Sequence, residues 1–373
     1  MKRLTEFFSS WPGIALVLLL GLAARLGAAS FGHNYDVESY FVVAKIMAAG
    51  GNVYAETTRY NYGPVWFLIL HGLDLLAQHN ETILRWLVAG FLSLADVGLF
   101  VLIYRQAGPL LGALFFLNPV SILITGFHSQ FDNFALGIGL LGVLQLGHEP
   151  ERPLGRREFG GLLLLGLSLA TKHILFVFPL WLAVKRRGWL TKILIIGVPV
   201  AVFLASFLPW WADSHGGIVK NVFLYNSGGY GVFYSLMLPE IARLVLSSRG
   251  YWYLLLIVFA FICRPKSNFH SFLIYTGVLV AASPAYANQY LAIPAALAVV
   301  CLNPFFAGFL LLGVWHLAVD VNGLHLLNYY SPCHDLATYC LTLGIIWHLW
   351  PQIFIRPFAY IRREVNFQLG LDK

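Results

Sequence analysis

Long apolar runs separated by short basic clusters are the feature that most constrains this sequence. The first run extends from Trp11 to Ala29, and similar runs recur along the 373 residues. Only 11% of the residues are Asp, Glu, Lys or Arg, against about 25% in an average soluble domain. A run of roughly 20 apolar residues crosses a bilayer as one helix. The pattern excludes a soluble fold and predicts an all-α polytopic membrane protein with about 12 transmembrane helices.

Basic residues mark the predicted cytoplasmic ends of these helices, because cytoplasmic loops carry an excess of Lys and Arg. The clusters are Lys2-Arg3, Arg105, Arg152 with Arg156-Arg157, Lys185-Arg186-Arg187 with Lys192, Arg264 with Lys266, and Arg356 with Arg362-Arg363. Both termini are therefore expected in the cytoplasm. The formal charge of +7 is explained by this topology, and nucleic acid is not expected as a partner.

Residues 31–82 form a long polar segment after the first span. The predicted span 11–30 ends on the outer side and Arg105 marks the inner side, so the chain can cross the membrane only once between them. The run 83–104 is longer than the run Pro64–Gln78 and is the better candidate for this crossing. The run Pro64–Gln78 is therefore expected to lie on the outer surface as a helix. A second interfacial helix is predicted at Pro239–Ser248, where polar and apolar residues occupy opposite faces.

The run 159–184 has basic clusters at both ends and is expected to turn back near Lys172-His173. Each half has about 12 residues, roughly 18 Å of helix, against a hydrocarbon thickness of ~30 Å. Both residues are then expected below the outer surface, at the floor of a cavity, because a charge in lipid alone is costly. A single tilted helix is the alternative.

Polar side chains that can do chemistry concentrate at the predicted outer ends of the helices. The segment His33–Glu38 contains Asp36, whose carboxylate could act as a general base or could only cap the helix that follows. The segment Gly126–Asn133 could bind hydroxyl groups or a phosphate, or could form a polar turn in which Asp132 caps the next helix. The segment Ser283–Tyr290 is a further polar turn.

Several charged residues lie near these clusters. Lys172 can bind a phosphate as a flexible point charge, or it can extend to the membrane interface. Arg25, Arg85 and Lys220 could share the phosphate role, but structural roles are the simpler interpretation. Asp96 lies inside a span and requires a partner there.

The motifs, in their order along the chain, resemble those of integral-membrane GT-C glycosyltransferases. The similarity is greatest to the GPI mannosyltransferase I catalytic family and to bacterial polyprenyl-phosphate-mannose-dependent mannosyltransferases. The matching segments are Asp36-Val37-Glu38, Tyr60-Asn61-Tyr62-Gly63-Pro64, Leu94-Ala95-Asp96 up to Tyr104-Arg105, Leu117-Asn118-Pro119 followed by Gly126–Asn133, Ala170-Thr171-Lys172 with Pro179, and Gln289-Tyr290. The resemblance covers residues 11–190 well and the remainder of the chain loosely.

The resemblance implies a GT-C-like fold with surface helices in the first outer loop. It also implies an inverting transfer of a hexose, with mannose expected, from a polyprenyl-phosphate or dolichyl-phosphate carrier to a hydroxyl of a lipid-linked or glycan acceptor. We expect Asp36 to be the catalytic base, and Glu38 and Tyr62 to bind the acceptor. The residues expected to bind the donor are Lys172, His173, His128, Gln130, Asp132, Gln289 and Tyr290. No cofactor and no essential metal are expected, although Asp36 and Glu38 together could hold one.

The sequence departs from the GPI family at two places. The acidic motif is Asp-x-Glu instead of Asp-x-Asp, and His128-Ser129-Gln130 stands where that family has an Arg-Gly-Asn-like pattern. The bacterial relatives are therefore the nearer guide, and they favour the bacterial plasma membrane over the ER membrane. We divide the chain into a catalytic transmembrane module, 1–210, with outer loop 31–82, and a variable C-terminal module, 211–373, with outer loop 211–249.

Two other functional classes stay open from the residues alone. A polytopic transporter or flippase of a lipid-linked sugar would show repeated halves with interrupted helices, and the sequence has no visible repeat. A scaffold subunit would not require three polar clusters on one side of the membrane.

Overall fold

A computed structural model describes residues 2–147, 149–225, 250–285, 287–327 and 333–355. Over these ranges the chain forms helices and loops and no β-strand, so the predicted all-α class is confirmed. The α-helices are α1 Lys2–Ser9, α2 Trp11–Ser30, α3 Tyr35–Ala48, α4 Val53–Glu56, α5 Pro64–Leu76, α6 Glu81–Ala107, α7 Pro109–Phe116, α8 Pro119–Gly126, α9 Asp132–Val143, α10 Arg156–Thr171, α11 Phe178–Ala183, α12 Trp189–Ala205, α13 Leu208–Ile218, α14 Gly250–Ile262, α15 Asn268–Ala281, α16 Ala295–Val300, α17 Pro304–Val319 and α18 Cys333–Leu349. Short 3₁₀ turns span His173–Leu175 and Asn288–Leu291.

Two of the described helices, α2 and α6, are long and apolar enough to cross a membrane alone. Two further pairs of helices are long and apolar enough only when taken together, and each pair is bent at a short break. α7 and α8 meet at 45°, and α12 meets the helix that follows it at 85°. Pro109, Pro119 and Pro209 stand in the first turn of α7, α8 and α13, where a missing N–H costs nothing. Other apolar helices have 10–17 residues, so the number of spans stays a prediction.

Residues 31–82 begin and end at one end of the bundle, which we call the site end. The Arg85 guanidinium donates to the Gly32 carbonyl at 2.9 Å, and Lys45 Nζ lies 2.7 Å from Glu81 Oε1. Between these contacts, α5 has only 13 residues, about 20 Å, and is too short to cross. The segment therefore returns to the end where it started, as expected of a surface helix.

The predicted turn at Lys172-His173 is present. α10 ends at Thr171, the chain reverses through a 3₁₀ turn, and Arg186 Nη2 then reaches Glu158 Oε1 in the first turn of α10 at 3.0 Å. The single-helix alternative is therefore wrong. Since α10 spans about 24 Å, Lys172 and Glu158 lie at opposite ends of the bundle. Lys185 and Lys266 meet at the Glu158 end, where Lys185 Nζ donates to the Lys266 carbonyl at 2.6 Å.

The beginning of the predicted outer loop 211–249 is helical. α13 continues into a π-helix, Val219–Phe223, and this arm folds back on the first loop, where Asn221 Nδ2 donates to the Thr57 carbonyl at 3.3 Å. Trp210 packs edge-on against Phe67 at 5.0 Å between ring centroids, and this contact holds the bend. The predicted interfacial helix Pro239–Ser248 lies outside the described residues.

The largest apolar core combines α9, α10 and α11 with α14 to α18. It therefore joins residues on both sides of position 210, and the division into two modules stays a prediction. A second core forms under the first loop at the site end, where the Trp66 and Phe131 rings stack at 4.4 Å. This aromatic layer fixes the loop that carries Asp36 onto the helices that carry Asp132 and Lys172.

Candidate active site

Asp36 lies in the first turn of α3 and is half-buried. The N-cap of this helix is Asn34, whose Oδ1 accepts the Asp36 backbone N–H at 3.2 Å. The alternative in which Asp36 serves only as the cap is therefore wrong, because a different side chain performs that function.

One oxygen of the Asp36 carboxylate is held and the other is not. Oδ2 accepts from Gln130 Nε2 at 2.6 Å and from Asn34 Nδ2 at 3.2 Å. Oδ1 has no hydrogen-bond partner among the described residues. The two donors thus fix the orientation of the carboxylate while Oδ1 stays available to a substrate.

The segment that carries Gln130 is held by Arg85. Its guanidinium donates to Ser129 Oγ at 2.7 Å and to the Gly126 carbonyl at 2.9 Å. Ser129 is in the left-handed region at φ +49°, a conformation that costs energy for a residue with a side chain. Arg85 has a structural role here, as expected, because it fixes the loop next to Asp36.

His128 is buried next to the same loop, and its Nδ1 lies 3.0 Å from Asn34 Nδ2. Burial lowers the pKa of His128 to about 4, and the neighbouring His316 lowers it further while Asp320 opposes the shift. At neutral pH the imidazole is therefore uncharged. It can donate one hydrogen bond to a substrate, but it does not supply a positive charge.

Lys172 and Asp132 form an ion pair with Nζ 2.7 Å from Oδ2, and both side chains are buried. The ammonium also lies 4.9 Å from the Tyr62 ring centroid and 4.8 Å from that of Phe131. Lys172 therefore does not extend to the interface. Asp132 is the first residue of α9, and its side chain binds Lys172, so the alternative in which it only caps this helix is wrong.

The first loop approaches this pair closely at Gly63. A Cβ at that position would lie 1.9 Å from the Ala170 carbonyl oxygen, so only glycine allows the contact. Tyr62 is thereby placed against Lys172, and burial raises its pKa well above the usual value, with smaller contributions from Asp36 and other neighbours.

Three other predicted site residues lie at the edge of this arrangement. Tyr290 is half-buried and close enough to Tyr62 to raise its pKa slightly. His173 follows Lys172 in the 3₁₀ turn, and Gln289 precedes Tyr290 in another. Neither His173 nor Gln289 hydrogen-bonds to Asp36, Asp132 or Lys172.

Glu38 is exposed, and its Oε1 lies 2.6 Å from His33 Nε2. It stands two positions after Asp36 on one helix, so the two side chains project from nearly opposite faces. They are not arranged to share a metal ion. Within the ranges that the structure describes, no group of three or more His, Cys, Asp or Glu side chains is placed to hold a metal.

Sequence reasoning assigned no role to Asn34 and Tyr40 of the site, nor to Arg59 of the first loop. Asn34 holds Asp36, and the Tyr40 hydroxyl donates to the Ser129 carbonyl at 3.3 Å. Arg59 stacks 4.1 Å over the Tyr35 ring and donates from Nε to Ser39 Oγ at 3.1 Å. The helical spacing of Asp36 and Tyr40 could have indicated a shared face, and Arg59 is the one arginine in 31–82.

Arg25 and Asp96 form a separate buried pair, with Nε 2.8 Å from Oδ2. The same Asp96 oxygen accepts from Thr125 Oγ1 at 2.7 Å, and Arg25 also donates to the Phe116 carbonyl at 2.9 Å. The expected partner of Asp96 is therefore Arg25, and both residues connect helices of the bundle. Lys220 is exposed on the π-helix of the arm.

No protein-family model and no curated protein sequence matches the chain. Two solved structures of ArnT from Cupriavidus metallidurans are similar to it. The apo structure matches with a TM-score of 0.50 and 14% identity over 91% of this chain and 76% of ArnT. The structure bound to undecaprenyl phosphate matches with a TM-score of 0.50 and 15% identity over 91% of this chain and 77% of ArnT. The similarity shows that this chain shares the fold of ArnT, an all-helical GT-C-like polytopic membrane fold.

Proposed function

We propose that the protein transfers a sugar from a polyprenyl-phosphate carrier to a hydroxyl group of a lipid-linked or glycan acceptor. The observation that carries the proposal is the Asp36 carboxylate, oriented by two donors with Oδ1 left available, at the site end of a GT-C-like fold. ArnT, which shares the fold, has been solved with undecaprenyl phosphate bound. From the sequence resemblance we further propose that the sugar is a hexose, with mannose expected, and that the reaction occurs on the outer face.

In the proposed reaction Asp36 is the catalytic base. The acceptor hydroxyl gives its proton to Asp36 Oδ1, and the acceptor oxygen forms a bond to the anomeric carbon with inversion. The bond between that carbon and the phosphate oxygen breaks, and its electron pair leaves with the polyprenyl phosphate. This leaving group is stable at neutral pH, so the step needs a base and phosphate-binding groups but no acid.

Lys172 is the proposed phosphate-binding cation. Its ammonium has three N–H donors, and one of them is directed to Asp132, so two can bind phosphate oxygens. His128 can add a neutral donor, with His173 nearby in the turn. The roles of Gln130 and Asp132 are then to orient Asp36 and Lys172.

The remaining residues have proposed roles at the edges of the site. Gln289 and Tyr290 would contact the donor sugar from the 3₁₀ turn between α15 and α16, and Tyr62 would contact the acceptor beside Asp36. Glu38 would bind the acceptor at the exposed entrance of the site. The proposal includes no cofactor and no resident metal.

The test uses purified protein in detergent with a panel of polyprenyl-phosphate sugars and hydroxyl acceptors, followed by mass spectrometry of the products. We expect a glycosylated acceptor and free polyprenyl phosphate with at least one donor. A transporter or flippase would instead move a labelled lipid-linked sugar across proteoliposomes with the glycosidic bond intact. Movement without product from folded protein would contradict the proposed transfer.

A further inference from the structure

Asn34 lies between the proposed base and a buried histidine and contacts both. Its Oδ1 accepts the Asp36 backbone N–H at 3.2 Å. Its Nδ2 lies 3.2 Å from Asp36 Oδ2 and 3.0 Å from His128 Nδ1. One amide group thus begins helix α3, holds the Asp36 carboxylate and reaches the loop 94 residues further along the chain.

These contacts determine where the protons lie. A backbone N–H can only donate, so the Asn34 atom facing it is the amide oxygen and the other atom is the NH₂ group. One of its hydrogens is directed at the Asp36 carboxylate and the second at His128 Nδ1. His128 Nδ1 must then accept, so the ring is neutral and carries its proton on Nε2.

We propose that Asn34 is a positioning residue that fixes the orientation of the Asp36 carboxylate and the tautomer of His128. The inference rests on the proposed function and deepens it. Asn34 donates to Oδ2 of the carboxylate and so leaves Oδ1 to receive the acceptor proton. It also presents His128 Nε2–H as a neutral donor, which suits an oxygen of the donor's phosphate or sugar.

The other groups that face Asp36 do not replace this contact. Gln130 is a second neutral donor to the same oxygen. Tyr40, Tyr62 and Tyr225 lie near enough to Asp36 to interact electrostatically with its carboxylate. Asp132 is paired with Lys172. On the other side, His128 faces His316 and Asp320.

Removal of the Asn34 N–H donor is therefore expected to leave the Asp36 carboxylate with Gln130 as its donor and to leave His128 Nδ1 without the group that holds its tautomer. Asn34→Ser removes the NH₂ group but keeps a good N-cap side chain. Asn80→Ser is the matched control, since Asn80 caps α6 in the same way and is exposed, away from Asp36. Asn34→Asp is a second, isosteric variant that keeps the cap oxygen, but its other oxygen can only accept, so the proton of His128 would have to lie on Nδ1.

The first readout is the ¹⁵N NMR spectrum of the full-length folded protein labelled at histidine, in which protonated and unprotonated ring nitrogens have separate chemical shifts; the His128 signals are identified by their loss in His128→Gln. We expect the proton on Nε2 in the native protein and in Asn80→Ser, a loss of that preference in Asn34→Ser, and a proton on Nδ1 in Asn34→Asp. With an active donor, both Asn34 variants should lower kcat about tenfold or more and change KM little, because the Asp36 carboxylate is no longer held in one orientation.

An unchanged His128 tautomer in the folded Asn34 variants would overturn the inference, even if transfer fell, because a cap that only stabilises α3 has no effect on the histidine proton. A changed tautomer in a protein that transfers no sugar would support the role of Asn34 while contradicting the proposed function. The two failures are therefore distinguishable.

Discussion

Lys172 Nζ lies 2.7 Å from Asp132 Oδ2, and the two side chains are 7% and 1% exposed. The cation predicted to bind the donor phosphate thus already has a carboxylate partner 40 residues earlier in the chain. A buried pair of this kind can be replaced with little loss, whereas the removal of one partner leaves an uncompensated charge. Lys172 therefore combines a structural and a proposed functional role, and variants can separate the two.

The first prediction concerns this pair. Lys172→Met should lower the free energy of unfolding by about 3–5 kcal/mol, because it leaves Asp132 buried without its cation. Lys172→Met combined with Asp132→Asn should restore most of that stability, measured by thermal unfolding in detergent. The double variant should still use the lipid-phosphate donor roughly 10- to 150-fold less well, from the loss of a charge-assisted contact. Normal donor use by the stable double variant would show that Lys172 does not bind the donor.

The second prediction concerns the base. Asp36→Asn should lower transfer by ~10²-fold or more, because the amide cannot take a proton from the acceptor. The thermal midpoint should change little, since Asn34 caps α3 and the new side-chain oxygen can still accept from Gln130. Glu6→Gln is the control, because Glu6 is an exposed carboxylate on α1 with no proposed role in the site. Near-normal turnover of Asp36→Asn would assign the base to another carboxylate.

The third prediction concerns acid stability. The pKa of His128 is about 4 in the folded protein and about 6.5 in an unfolded chain, so between these pH values the unfolded chain binds a proton that the folded one does not. Stability should therefore fall as the pH is lowered from about 6.5 to 4, by about 3 kcal/mol from this residue alone. His128→Gln should lack this component, so its stability relative to the native protein should improve over that range. A constant difference between the two proteins would contradict the buried neutral histidine.

The fourth prediction concerns the pair inside the bundle. Asp96→Ala should lower the free energy of unfolding by about 3–5 kcal/mol, because the Arg25 guanidinium would be left buried without a carboxylate. Ser93→Ala is the matched control in the same helix, since Ser93 Oγ donates only to the Ala89 carbonyl of that helix. The remaining folded Asp96→Ala protein should keep its KM for the donor. A large change in the KM for the donor with unchanged stability would show that Asp96 acts in substrate binding and is not a purely structural residue.

The fifth prediction concerns topology. In a background with the four native cysteines replaced by alanine, Thr58→Cys should react with an impermeant maleimide added to intact cells. Arg157→Cys should react only after permeabilisation. Both positions are exposed, and they lie at the site end and the Glu158 end, respectively. The reverse labelling pattern would place both termini and the site on the opposite sides from those expected.

The sequence alone determined the helical segments and the ends at which polar residues gather. Apolar runs, helix-starting prolines and basic clusters are local signals, so the α2 and α6 spans and the turn at Lys172 could be read from them. The return of residues 31–82 to one end of the bundle also followed, because the length of α5 and the position of Arg105 left no room for another crossing. These features require no knowledge of which helices touch.

Only the tertiary structure decided which polar groups meet. The partner of Lys172 is Asp132, that of Arg25 is Asp96, and the Asp36 carboxylate is held by Gln130, 94 residues away. Each pair joins different helices, and a single sequence does not show such contacts. Inside the bundle water is excluded, so a buried charge or amide must find a protein partner, and the packing of the helices determines which one is near enough.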